Sequence, residues 1–142
     1  MREILFRAKR LDNGKCVYGN LVLSIDVDDE YGTIIIPMEE SGMFVKGEDP
    51  EEHDLGFENW HLVDPDTICQ YTGLTDKNGR KIFEGDIIKD IDYGIMKCIY
   101  LHGSFAWYKE DGFKIECMRY VPVIEVIGNI FDNPELVKEV AE

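Results

Sequence analysis

Long apolar runs are missing from this 142-residue chain. None approaches the ~18 consecutive apolar residues that a membrane-spanning helix needs. Histidine is scarce: His53, His61 and His102 are the full set, and no HExxH pattern joins any of them, which leaves little for a zinc hydrolase to use. The four cysteines, Cys16, Cys69, Cys98 and Cys117, form no CxxC pair. Neither a zinc knuckle nor a thioredoxin-type redox motif is signalled, and free thiols buried in strands are expected. The GxSxG elbow of serine hydrolases is absent, and so is the phosphate-binding spacing that ends in Lys-Ser/Thr. Positive charge is also short. Fifteen Lys and Arg face 29 Asp and Glu, for a net charge of -14. A field of that sign repels a phosphate backbone, so duplex DNA is an unlikely partner. The first residues, MREILFRAKR, are charged throughout and lack the apolar core of a signal peptide. A cytoplasmic location is therefore expected.

What the chain does contain is a globular composition, with 44 % hydrophobic residues. A chain of this size buries roughly two-thirds of its unfolded surface without metal or disulfide support. One domain spanning residues 1–142 is expected, with an irregular acidic segment at about 38–59. The acidity is concentrated. Between Asp26 and Asp66 there are fourteen acidic residues and one basic residue, Lys46. The N-terminal stretch runs the other way, with Arg2, Arg7, Lys9, Arg10 and Lys15 against Glu3 and Asp12. Such asymmetry can orient a partner or a second subunit, although a solvated face accounts for it more simply.

The punctuation of the chain predicts many short strands. Ile4–Ala8 and Val17–Ile25 flank the turn at Asn13-Gly14, whose residues tolerate left-handed backbone. Thr33–Ile36 is β-branched and ends at Pro37. The segment EESGMFVKGEDPEEHDLGFE, Glu39 to Glu58, reads as a long surface loop. Trp60–Val63 and Thr67–Tyr71 read as strands about Asp64-Pro65-Asp66. In QYTGLTDKNGRKIFEGDIIK, Thr72-Gly73 leaves a strand, Asn78-Gly79 makes a tight turn, and Gly85-Asp86 makes a second bend before the core strand at Ile87-Ile88. Ile95–Leu101, Ser104–Tyr108 and Phe113–Cys117 predict an antiparallel meander. Val121–Ile130 contains another strand. Asn133-Pro134 reads as an N-cap followed by the first residue of a short C-terminal helix. The fold class is thus mainly β, an antiparallel barrel-like or partly open sheet with a short C-terminal helix.

The candidate chemistry is thin. Glu84 and Asp86 lie two apart, which in a strand puts both on one face, and Asp28/Asp29 and Asp90/Asp92 are further acidic pairs. With 29 acidic residues such pairs arise by chance, and Asp86 has a simpler role accepting backbone N–H groups at the Gly85 bend. No catalytic, cofactor-binding or metal-binding residues are assigned, and no cofactor is expected. Lys77, Arg80, Lys81 and Lys89, with Tyr71 and Phe83 nearby, are the candidate contacts for a single strand of nucleic acid. Phe105, Trp107 and Tyr108 are possible stacking residues, but Phe105 and Trp107 share strand parity and fit a core better.

Three pieces of the chain carry a family resemblance: MREILFRAKRLDNGKCVYGNL, TICQYTGLTDKNGRKIFEGDIIK and VIEVIGNIFDNPELV. They resemble the opening, the central run and the closing strand of the YopX family, small proteins encoded by bacteriophages and prophages. The resemblance spans nearly the whole chain. Cys16 departs from it, standing where the family has an aromatic. The likeness implies a mostly β protein with a barrel-like core, oligomeric assembly, and residence in the cytoplasm of a bacterial host. It brings no catalytic residue set. The resulting expectation is a non-enzymatic protein-binding or assembly module, a homo-oligomer or a binder of a host or phage protein. The alternatives are a single-stranded nucleic-acid-binding module and a small metal-dependent hydrolase.

Overall fold

A computed structural model describes residues 3–27, 30–37, 43–46, 54–57, 59–117 and 123–138. The chain forms two compact units, Ile4–Ile68 and Cys69–Glu142, the latter joined by Met1–Glu3. Both are built from antiparallel strands. The protein is mainly β, with open sheets and one short C-terminal helix.

In the first unit, β1 (Phe6–Lys9) pairs with β2 (Cys16–Val27), which pairs with β3 (Glu30–Pro37), which in turn pairs with β6 (His61–Leu62). The turn between β1 and β2 places Gly14 at φ 69, and the Asn13 carboxamide oxygen accepts the Lys15 N–H at 2.9 Å. Ala8, Val17, Ile35 and Val63 form the core of one face, with Phe6, Leu21 and Ile68 packed against them. Ile34, Ile35 and Ile36 are 1, 0 and 3 % exposed. Three consecutive strand residues buried together mean that both faces are covered at β3. After β6, Asp64 opens a 3-10 turn over Pro65–Thr67 where the Asp64-Pro65-Asp66 signal predicts a turn, and the next strand starts at Cys69 instead of Thr67. The Thr67 hydroxyl donates to the Asp64 carbonyl and accepts the Lys9 N–H at 2.8 Å. That bond ties the turn to β1.

The predicted loop over Glu39–Glu58 is corrected in part. Met43–Lys46 (β4) and Asp54–Phe57 (β5) pair as antiparallel strands, Met43 opposite Phe57. The short apolar run Met43-Phe44-Val45 and the alternation of Leu55 and Phe57 were obscured by the surrounding acids, prolines and glycines. The rest of that segment, and Asp28/Asp29, lie outside the described residues.

In the second unit, β7 (Cys69–Thr75) pairs with β8 (Lys81–Phe83). A five-stranded sheet runs in the order β12 (Lys114–Glu116), β11 (Ser104–Tyr108), β10 (Gly94–Leu101), β9 (Asp86–Asp90), β13 (Glu125–Asn129). Its terminal strands do not pair with each other among the described residues, so the sheet stays open. Ile88, Met96, Cys98, Trp107 and Val126 lie in register on one face and share a core with Ile82, Cys117 and Ile124. Trp107 is fully buried there.

Two local expectations change. Thr72-Gly73 does not leave the strand: β7 continues to Thr75 across a register shift between Tyr71 and Thr75. Gly73 supplies φ 89 at that irregularity, and the Thr72 hydroxyl donates to the Ile82 carbonyl at 2.8 Å, holding β8 beside it. At the C-terminus, α1 (Pro134–Lys138) starts at Pro134. The Asn133 side-chain oxygen, however, turns back to accept the Asn129 N–H at 3.3 Å. It secures β13 to the helix instead of capping the helix N-terminus.

Candidate interaction surfaces

The turn between β7 and β8 is built around one carboxylate. Asp76 is 6 % exposed. Its Oδ1 accepts the N–H groups of Asn78 and Arg80, both at 2.9 Å, and its Oδ2 accepts the Val126 N–H of β13 at 2.9 Å. The Lys77 N–H also donates to the Ile124 carbonyl at 3.0 Å. The tip of the β7–β8 hairpin is thereby fastened to the rim of the five-stranded sheet. Burial pushes the Asp76 carboxyl upward, but the N–H bonds from Val126, Arg80 and Asn78, with the Arg80 charge, outweigh it. They hold the group below the ordinary aspartate value. Gly79 adopts φ 80 at the turn, with open space where a Cβ would sit.

The next bend repeats the device. Gly85 has φ 85, and the Asp86 Oδ2 accepts the Phe83 N–H at 2.8 Å while only 1 % of the residue is exposed. Glu84 reaches the Gln70 N–H with its Oε1 at 3.4 Å. The two carboxyls that share a sequence spacing are thus each engaged with backbone. Asp90, 2 % exposed, accepts the N–H groups of Asp92 and Tyr93 through Oδ2 at 2.9 and 2.8 Å. The Asp90 Oδ1 is buried without a hydrogen-bond partner.

The four candidate nucleic-acid contacts do not stand as an unopposed cationic patch. The Lys77 Nζ lies 3.6 Å from the Glu125 Oε2. Lys89 is directly opposite the same Glu125 in the β13–β9 register. The Lys81 Nζ is 2.9 Å from the Glu3 Oε1 and 5.4 Å from the centre of the Tyr71 ring. Arg80 lies within the electrostatic reach of Asp76. The nearby aromatics are not platforms either. Tyr71 and Phe83 are buried against each other with ring centres 5.5 Å apart, and Trp107 is core. Tyr100 is exposed, standing edge-on to Phe105 at 5.2 Å.

His61 is half-buried on β6, and His102 occupies a left-handed turn between β10 and β11 at φ 51. His53 lies outside the described residues. Among the described residues, no three His, Cys, Asp or Glu side chains gather as metal ligands would. Two hollows flank β11. One, of about 440 Å3, is bordered by His102, Ser104, Lys114 and Glu116. The other, of about 310 Å3, is bordered by Gln70, Thr72, Tyr100, Phe105 and Cys117.

A different kind of surface belongs to the first unit. The β1 pairing covers β2 only from Cys16 to Gly19, and β6 pairs with β3 only at Ile34 and Ile35. Beyond these points β2 and β3 continue together, through Ile25–Gly32, Asp26–Tyr31 and Val27–Glu30, past a register shift after Val22. Among the described residues this stretch is a two-stranded ribbon that runs into the acidic window, and Leu23 at its start is 63 % exposed.

The match to known proteins covers this whole arrangement. The YopX protein family model matches residues 5–138. The chain belongs to the YopX family. A search of curated proteins found no match. Among solved structures, the chain is similar to the crystal structure of protein EF1440 from Enterococcus faecalis. The TM-score is 0.59 and the identity 28 %, over 96 % of this chain and 99 % of that one. The likeness thus covers nearly all of both chains.

Asp76 and Asp90 were not singled out from the sequence for the bonds they make. A signal for them existed, since Asp-Lys-Asn-Gly and Asp-Ile-Asp-Tyr both place an Asp where its side chain can receive the N–H two residues on. The contact of Asp76 with Val126, fifty residues away, has no local signal.

Proposed function

We propose that this YopX protein is a non-enzymatic assembly module of phage or prophage origin that acts in the bacterial cytoplasm and joins copies of itself. The β2–β3 ribbon carries this reading. A two-stranded ribbon on its own is marginal in water, because too few neighbours cover its strands. Its backbone edges and the exposed Leu23 suit a ladder or apolar contact with another chain. Self-association is the simplest source of that cover. The excess of acid around the ribbon and the excess of base near the N-terminus add electrostatic complementarity between copies. Nucleic acid ranks lower. Lys77, Lys81 and Lys89 each face a glutamate, which cancels the local field a phosphate backbone would need. A metal-dependent hydrolase ranks lowest, because among the described residues no three His, Cys, Asp or Glu side chains gather.

Light scattering of the purified chain over ~1–100 μM, the usual range for transient and stable self-association, tests the proposal. The expected result is a dimer or higher oligomer that loosens as salt rises if charge pairing dominates. Replacing residues 24–31 with a short Asn-Gly turn is expected to give a folded monomer. A monomeric mass for the unaltered chain at every concentration and salt would overturn self-association. Fluorescence anisotropy with labelled single-stranded DNA and RNA then discriminates the alternative. Submicromolar binding at ~0.15 M salt, lost on charge reversal of Lys77, Arg80 and Lys81, would replace assembly by strand binding.

A further inference from the structure

Cys98 and Cys117 are nineteen positions apart and come from different parts of the β10–β11–β12 meander. Cys98 sits opposite Trp107 on β11, and Trp107 sits opposite Ile115 on β12. Cys98 is therefore two strands from β12, and Cys117 lies just beyond the end of that strand. Both thiols join the same core, each 1 % exposed, and their sulfurs are 3.9 Å apart. A sulfur–sulfur bond is about 2.05 Å long, so closure must bring the sulfurs roughly 2 Å closer together. The two thiols differ in access. Cys117 borders the 310 Å3 hollow with Gln70, Thr72, Tyr100 and Phe105, whereas Cys98 does not border it.

We propose that Cys98 and Cys117 form an oxidation site, a dithiol that a small hydroperoxide entering this hollow converts to a disulfide. Cys117 is the attacking sulfur and Cys98 the resolving one. The Cys117 sulfur, as thiolate, attacks one peroxide oxygen. The O–O bond breaks, the leaving oxygen takes up a proton to depart as water, and Cys117 becomes a sulfenic acid. The Cys98 sulfur then attacks the Cys117 sulfur, its thiol proton goes with the displaced hydroxyl, and a second water leaves. Two thiols and one hydrogen peroxide give one disulfide and two waters. The hydrogen bond with Cys117, and then burial, push the Cys98 thiol well above the ordinary range. Cys98 thus keeps its proton until it attacks, which suits the resolving role. Closure would link β10 to the end of β12 and brace the open side of the five-stranded sheet. In a reducing compartment such a bond is transient and reports oxidant.

The test uses the unaltered folded protein. It is exposed to graded hydrogen peroxide, its remaining thiols are alkylated, and its peptides are mapped by mass spectrometry. The expected product has lost two hydrogens and carries a Cys98–Cys117 peptide pair. Its melting temperature rises by roughly 5–10 °C, as for a bridge closing a loop of this length in a domain of this size, and reductant reverses the change. Cys98→Ser is expected to leave Cys117 as a sulfenic acid that dimedone traps. Cys117→Ser is expected to leave Cys98 unmodified. Tyr100→Ala, at an exposed position on the hollow, is expected to speed closure several-fold by widening access. The proposal fails if Cys98 and Cys117 stay reduced in the folded protein at peroxide levels that oxidise half-buried Cys16. It also fails if the pair closes only after denaturation, or if Cys98 oxidises at an unchanged rate in Cys117→Ser.

Discussion

The β7–β8 hairpin and the β2–β3 ribbon are both antiparallel strand pairs, yet Asp76 is the single acid between Cys69 and Phe83, whereas Asp26, Asp28, Asp29 and Glu30 crowd the sequence of the ribbon. In the β7–β8 region the carboxylates turn inward. Asp76 fastens the hairpin tip to β13, and Asp86 accepts the Phe83 N–H of β8. These bonds occupy backbone donors that a strand edge would otherwise present to another chain. Along the ribbon, among the described residues, no third strand pairs with β2 or β3 past Val22, and Leu23 is exposed. The hairpin region satisfies backbone donors with its own side chains, whereas the ribbon is the surface proposed for a partner. Asp76 and Asp86 serve internal stability because their burial would be costly without the backbone N–H groups that satisfy them.

The contrast is broken most severely at the base of the ribbon. A Cβ at Gly19 would lie 2.0 Å from the Ile36 carbonyl oxygen, a backbone atom that cannot swing aside. Gly19→Ala is expected to force β2 from β3 and cost about 4 kcal/mol. Urea denaturation checks it, and a loss below about 1 kcal/mol would mean that the strands are not this close.

Asp76→Ala comes next. It leaves three N–H groups without their acceptor and is expected to cost about 3 kcal/mol in urea denaturation. The pH dependence has a definite sign. The folded carboxyl titrates below its unfolded value of 3.8. Its stabilisation is complete above that value and is lost as pH falls through the lower folded pKa. The unaltered protein should therefore lose more stability than Asp76→Ala between about pH 4 and pH 2. Parallel acid profiles for the two proteins would show that the carboxylate contributes nothing.

Gly79→Val probes the same turn with a smaller change. The space around Gly79 is open, so the cost comes from holding a β-branched residue at φ 80. About 1–2 kcal/mol is expected in the same denaturation measurement. A neutral effect would mean that the turn rearranges freely.

The smallest stability effect is expected on the ribbon itself. Leu23→Ser should change folding stability by less than about 0.5 kcal/mol, because the side chain is exposed. It should still weaken self-association, read as a lower average mass by light scattering at equal concentration. Unchanged mass would move the contact away from Leu23.

Much of this was written in local sequence. Asn13-Gly14, Asn78-Gly79 and Gly85-Asp86 mark turns because left-handed backbone is tolerated by few residues, and the β-branched run before Pro37 marks a strand that must end there. The spacing of these signals determined a mainly β, antiparallel protein, and the YopX resemblance rested on the same stretches. Two local readings were lost to competing patterns. The β4 and β5 strands were hidden by the acids around them, and the strand signal of Thr72 by the glycine that follows it. Only the tertiary structure decided which carboxylates are buried, that Lys77 and Lys89 share Glu125, and that Cys98 meets Cys117. Each of these depends on register between strands remote in sequence. A shift of one residue moves every side chain to the opposite face, and composition and spacing along the chain do not encode that choice locally.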